Sequence, residues 1–417
     1  MLLLPGTGRQ LPARAAGPAQ ASIAALRICT GCAQAGGNLA RYRYVILNSW
    51  EAPLIPALKA RNPGLKALVY KDFSFSVSDG CSNRTGGVGY CAANSAHPEW
   101  FLADPHGKRL NSSGYPDAWM MDVGNPGYQA AWRSNVLADL RSGGWDGVFM
   151  DDTNADMGWH LAGRTIARYP TSASWRAATR SMLAKVGPAL ISAGFLAVPN
   201  LSTPWAADYD AQATWSDWLR FTSGAAQEYY GKWGMASSGW FAGKDWTYRQ
   251  RFQELTEQAG KLFLGITYAP RGDTRTMTWA RANFLLFDRP AYGGALVVEL
   301  TDPEAQDPYS SAWTADIGTP LGARFRVGAA WRRNFSDGTV LVNPSSSAVT
   351  VRLARPYMRE DGRMTTSVKL GPTSGAILRF AAQARAGFLV APAAKRSRQA
   401  RKHSARALRA RHARHRH

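Results

Sequence analysis

The chain reads as an α/β protein, a (β/α)8 TIM barrel followed by a small C-terminal β-sandwich, and three observations predict it. Eight short, β-rich apolar runs alternate with helical stretches over about 260 residues, the size of one such barrel. Polar side chains gather at the C-terminal ends of those runs, the end at which a barrel opens. From Arg324 onward the texture changes to alternating strands separated by Gly, Asn and Pro turns.

Residues 1–35 are rich in Ala, Gly, Pro and Gln and are expected to be loosely ordered. The apolar runs that follow cover 44–47, 67–70, 118–121, 147–150, 195–198, 224–227, 262–266 and 295–298. Each is short and largely continuous in its hydrophobicity, as a parallel strand buried on both faces must be. The sixth, Gly-Ala-Ala-Gln, has the least β propensity. Helix patterns fill the intervals, among them 175–186, expected to stop at Gly187-Pro188, and 248–259, expected to stop at Gly260. The barrel is therefore placed at 36–322, the β-domain at 323–382 and a tail at 383–417.

With 45% hydrophobic residues the chain can bury a large core, which excludes general disorder. The net charge of +21 resembles a nucleic-acid signature until it is located. Ten Lys and Arg with four His and no acid lie between Lys395 and His417, leaving +11 for the rest. Such a tail repels itself and offers non-specific contact to polyanions rather than a dedicated nucleic-acid site. No apolar run reaches the length of a membrane span. The four cysteines form two close pairs in loop-like sequence, Cys29/Cys32 and Cys81/Cys91, and pairing within each loop predicts local disulfides. That favours an extracellular or cell-envelope location, whereas the Met-Leu-Leu-Leu-Pro-Gly start lacks a signal-peptide pattern and leaves a cytoplasmic alternative.

The sharpest local pattern is Gly147-Val148-Phe149-Met150-Asp151-Asp152-Thr153-Asn154, an apolar strand that runs into two carboxylates and an amide. Acids at such an end need a polar or cationic partner, although Asp152 or Thr153 could simply cap the next helix. Asn48, Glu51, Lys71, Asp72, Asp122, Asn200, Glu228, Tyr268 and Glu299 occupy the ends of the other runs, with Trp50 and Tyr229 beside them. Only His97, His106 and His160 lie outside the tail, in no His-x-His pair, so no His-based metal site is expected. Nucleophile-elbow, phosphate-loop and dinucleotide motifs are missing too, so no cofactor is expected. Paired carboxylates remain, and cleavage of a glycosidic bond needs two: one to protonate the leaving oxygen, one to attack or to activate water. Asp151 and Glu228 form the candidate pair, with Asp152 as the competitor for the first role. Tyr rings beside Glu228 would keep it protonated, Asp151 would stay ionised, and Lys232 could instead tie up Glu228 in a salt bridge. The remaining polar and aromatic groups, Asn154 included, are candidate ligands of sugar hydroxyls and ring faces.

The segments 44–51, 62–72, 144–154, 227–230 and 337–344, taken in order, resemble glycosyl-hydrolase-like family fifteen over roughly residues 40 to 380. The resemblance implies a barrel followed by a β-domain, related to the α-galactosidase, α-amylase and polygalactosaminidase barrels. It also implies a nucleophile at strand four and a proton donor at strand six, which correspond here to Asp151 and Glu228. The resulting expectation is a retaining glycosidase acting on an α-linked oligo- or polysaccharide. A carbohydrate-binding barrel without turnover, tethered to an anionic surface by its tail, is the alternative, and polyanion binding as the main role is a third.

Overall fold

The computed structural model describes residues 42–78, 81, 85–204, 209–270, 272–296 and 316–381, together with the backbone of 24–26 and 297–300. The rest of the segment 1–35, Cys29 and Cys32 included, and the tail from residue 383 lie outside the described residues.

One all-parallel sheet of eight strands forms the barrel. In order they are β1 (Ala24–Leu26), β2 (Tyr44–Leu47), β3 (Lys66–Asp72), β6 (Gly147–Asn154), β7 (Leu196–Ser202), β8 (Gly224–Glu228), β9 (Leu262–Ala269) and β10 (Ala295–Leu300), and β1 lies beside β10 to close the ring. Two strand assignments change. The run 118–121 is not a barrel strand: Ala118–Met120 (β5) pairs antiparallel with Phe75–Val77 (β4) in a separate two-stranded sheet within the long β3–β6 connection. The missing barrel strand is β1, inside the segment expected to be loose, where three short apolar residues pair with Tyr44–Ile46.

Period-two alternation then sorts the barrel residues. Tyr44, Ile46, Leu68, Tyr70, Phe149, Val198, Ala226, Leu264 and Ile266 pack inside the barrel, while Val45, Val69, Val148, Met150 and Phe263 pack outward against the helices. Those helices include α3 (Pro126–Ser142), α5 (Ser172–Ser192), α7 (Gly243–Gln258) and α8 (Thr274–Phe287), which follow the short α1 (Ile55–Arg61), α2 (Tyr90–Ala96), α4 (Gly158–Leu161) and α6 (Ala211–Leu219). α5 runs on through Gly187-Pro188 instead of stopping there. Pro188 lies inside the helix, where it removes one i→i−4 hydrogen bond without ending it, and Gly187 is required for packing, since a Cβ there would sit 2.0 Å from the Phe221 carbonyl oxygen. α7 ends as expected, with Gly260 at a φ of +69° just past it. Cys81 and Cys91 are disulfide-bonded in the β3–β6 connection.

The β-domain is a single six-stranded antiparallel sheet, β11 (Phe325–Val327) to β16 (Ser374–Arg379), in which β13 (Gly338–Asn343) and β16 lie at the centre. Both faces of β13 are buried. Val340 and Val342 pack with Trp279, Ala282 and Leu286 of α8, whereas Leu341 joins the domain's own core with Val351 and Leu378. Gly375 touches α8 so closely that a Cβ would lie 2.6 Å from that of Ala282, which seats the domain against the barrel. Among the described residues no helix is long and apolar enough to cross a membrane.

Candidate active site

The inward parity that fills the barrel with apolar side chains continues at the C-terminal ends as Tyr70, Asp72, Asp151, Asn200, Glu228 and Tyr268, so polar groups replace aliphatic ones where the barrel opens. Asp151 accepts from the Tyr70 hydroxyl at 2.8 Å on Oδ2, and from Asn200 Nδ2 at 2.8 Å and the Asp152 N–H at 2.9 Å on Oδ1. Glu228 accepts from the same Asn200 nitrogen at 2.7 Å on Oε2 and from the Tyr268 hydroxyl at 2.6 Å on Oε1. One amide thus bridges the two acids. Their bridged oxygens can be no farther apart than the two bonds laid end to end, about 5.5 Å.

Burial, with Asp152 and then Glu228 as anionic neighbours, pushes the Asp151 carboxyl up to about 7. Glu228 is raised as well, by burial, against the opposing pull of its bonds from Tyr268 and Asn200. The pair is linked: a proton held by Glu228 removes one of the charges that lift Asp151, and three donors then favour its carboxylate.

The register between β6 and β7 shifts after Met150, and Asp152 takes a left-handed φ of +51° that Asp tolerates better than most residues. This bulge separates two consecutive acids. Asp151 turns to Tyr70 and Asn200, whereas Asp152 Oδ1 meets Asn154 Nδ2 and His160 Nε2, both at 3.0 Å. His160 is buried, and its Nδ1 lies 2.9 Å from Ser112 Oγ of the β3–β6 connection. With the proton on Nε2, the ring donates to Asp152 and accepts from Ser112.

The other predicted groups divide by position. Asp72 accepts from the Ser74 and Phe75 N–H groups at 2.9 and 2.7 Å, turning the chain after β3, and burial raises its carboxyl well above the usual range. Lys71 has the opposite parity. Its buried Nζ pairs with Asp139 of α3 at 2.7 Å and donates to Ser49 at 2.8 Å, so it faces the helical layer and not the mouth. Asn48 and Glu51 form a capping box at the short helix Ser49–Leu54, with the Asn48 N–H donating to Glu51 at 2.9 Å, and Trp50 is half-buried in that helix. Asp122 follows β5 instead of a barrel strand, and it binds Arg168 at 3.0 Å and the Tyr169 hydroxyl. Glu299 is opposite Tyr268 in the β9–β10 register. Lys232 donates to the Gly234 carbonyl, and the partners of Glu228 are Asn200 and Tyr268.

Sequence reading named Tyr229 and Tyr268 but missed Tyr70, His160 and the rim rings of Trp233, Trp159 and Tyr115. Tyr229 packs on Tyr268 and on the half-exposed Trp233, with ring centroids 5.3 and 5.1 Å apart. Trp159 stands against His160 at 4.4 Å and Tyr115 at 6.1 Å, and both Trp159 and Tyr115 are largely exposed. Counting two residues back from Asp72 would have found Tyr70, but no motif marks the others. Among the described residues no group of three or more His, Cys, Asp or Glu is arranged to hold a metal ion.

No curated protein sequence matches this chain. Solved structures similar to it include the glycoside hydrolase domain of PelA from Pseudomonas aeruginosa, at 17% identity over 69% of this chain and 97% of that one, TM-score 0.44. Ega3 of Aspergillus fumigatus, in complex with galactosamine, is 10% identical over 70% of this chain and 96% of that one, TM-score 0.40. An alpha-amylase from Malbranchea cinnamomea is 11% identical over 81% and 86%, TM-score 0.44. The family model described as hypothetical glycosyl hydrolase family 15 matches residues 59–339, most of the chain, and the chain belongs to that family.

Proposed function

We propose that the protein is a retaining glycosidase that cleaves α-linked oligo- or polysaccharide with Asp151 as nucleophile and Glu228 as general acid and base. The observation that carries this reading is the Asn200 bridge. It keeps the facing oxygens within about 5.5 Å, which fits the about 5–5.5 Å between the carboxyl groups of retaining enzymes better than the about 6.5–9.5 Å that inverting enzymes leave for a water. Glu228 gives its proton to the leaving oxygen while an Asp151 oxygen bonds to the anomeric carbon and the glycosidic C–O bond breaks. Water then attacks that carbon, its proton returns to Glu228, and the ester to Asp151 is released. Three donors support Asp151 as the ionised partner, and the Tyr268 hydroxyl can accept from a protonated Glu228 as readily as it donates to a charged one. Asp152, held by His160 and Asn154, serves as a positioning residue through its N–H bond to Asp151. The exposed rings of Trp159, Tyr115 and Trp233 suit the apolar faces of sugar units beyond the scissile bond, which favours a polymer.

The test is reducing-end release from α- and β-linked glycans, galactosamine polymers included, by wild type, Asp151→Asn, Asp152→Asn and Glu228→Gln. Turnover should fall at least about 10³-fold in Asp151→Asn and Glu228→Gln, and about 10-fold to 100-fold in Asp152→Asn. Folded proteins that bind a glycan without cleaving it, wild type among them, would replace the enzyme with a carbohydrate-binding barrel.

A further inference from the structure

A second concavity lies outside the barrel, where α7 and the end of α8 meet the β-domain, with a volume of about 790 Å³. None of the mouth residues lines it. Its charge is one-sided. Lys244, Arg251, Arg324 and Arg326 face a single acid, Glu254, which already binds Arg251 at 2.7 Å and Arg324 at 3.0 Å.

The unpaired polar atoms have one sign as well. Arg324 Nε, Trp331 Nε1 and Gln250 Nε2 belong to side chains that line this cleft, are themselves closed off from solvent and have no hydrogen-bond partner among the described residues, and all three are donors. The Gln250 carbonyl accepts from the Tyr230 hydroxyl at 2.8 Å, which leaves its NH2 group spare. Buried donors without acceptors are rare and costly, and three in one cationic cleft call for an acceptor that carries negative charge. The arginines are also held in place before any ligand arrives: Arg326 stacks 4.2 Å from the Trp331 ring centre and Arg324 4.0 Å from that of Phe287. A bare anion would fill little of such a volume, whereas a sugar-sized body fits the usual range of ligand pockets and meets aromatic surface from Tyr248 and Trp331.

We propose that this cleft is a second ligand site, for a saccharide bearing a carboxylate, sulfate or phosphate. The exposed Lys244 and Arg326 bind the oxyanion, the spare N–H groups of Trp331 and Arg324 turn toward it, and the ring lies on the aromatic wall. The site does not depend on turnover at the mouth.

Calorimetric titration of the full chain at low salt tests it. The probes are a galacturonate trisaccharide, galactose 6-sulfate, glucose 6-phosphate, maltotriose and inorganic phosphate. Saturable one-to-one binding is expected for at least one oxyanion-bearing saccharide, weakened about tenfold or more by the exposed-site double variant Lys244→Ala/Arg326→Ala and by Trp331→Phe, and weakened by added salt. Maltotriose binding equally well, affinity retained in the double variant, phosphate binding without any saccharide, or no saturable binding would each overturn the proposal.

Discussion

Two groups of buried acids flank the barrel wall, one in the mouth and one outside it, and they differ in what faces them. Outside, burial pushes Glu257 up to about 9 and Asp288 up to about 6, and the Arg281 and Arg333 guanidiniums oppose the rise at Asp288. Arg333 also donates to the Leu285 and Asp288 carbonyls at 2.9 and 2.6 Å, which ties the β-domain to the barrel. In the mouth, Asp151 and Glu228 are raised in the same direction, yet their partners are phenols, an amide and a backbone N–H, with no Lys or Arg among them. A displaced pKa therefore records burial in both places. Among the described residues the mouth acids meet neutral donors instead of cations, at an end open to solvent, which suits the mouth to hold and move a proton.

The comparison predicts opposite responses to substitution. Arg333→Met removes the cation that faces the outer acids and should destabilise the protein by about 3 kcal/mol, with activity per folded molecule unchanged. Urea unfolding checks the first part, and loss of activity at full folding would mean that the outer cluster also serves the chemistry.

Neutralising the mouth should instead stabilise. While Glu228 is charged, the Asp151 carboxyl is pushed up to about 7 in the folded chain, so that the pair keeps one proton between them, whereas in the unfolded chain Asp151 ionises near 4. Its contribution is thus present below about 4 and lost as pH rises through 7. Asp151→Asn should match the wild-type melting temperature near pH 4 and exceed it at pH 8, by stability on the order of 4 kcal/mol. Equal melting temperatures at pH 8 would show that Asp151 is not held against its charge.

The smallest effect belongs to the rim. Trp159→Ala should raise KM about 3-fold to 10-fold on a long substrate, with kcat close to wild type, because the ring is exposed and one residue removed from the Asp152 network. An equal fall in kcat would place the indole nearer the reacting bond.

How far this was legible from sequence depends on which physical rule was in play. The strand ending in Asp151 was readable because an apolar run cannot continue into two carboxylates without a reason. Asn200, Glu228 and Tyr268 followed from the convergence of barrel strand ends. Lys71 was misplaced because strand ends were read without their parity: with Tyr70 and Asp72 inward, Lys71 must point out to Asp139. The 118–121 run was taken for a barrel strand because burial in a small accessory sheet selects the same apolar residues, while Ala24–Leu26 is too short and Ala-rich to stand out. The separation of Asp151 from Asp152 rests on a bulge and one positive φ, and the arrival of His160 on a tertiary contact through Ser112, neither of which local sequence encodes visibly.

The most direct test of the central claim is the anomeric configuration of the first product, followed by proton NMR in the first minutes of cleavage of whichever glycan the panel identifies. A hydroxyl released in the configuration of the broken bond is the result expected from two carboxylates bridged by Asn200. An inverted first product would contradict that assignment and put a water between Asp151 and Glu228.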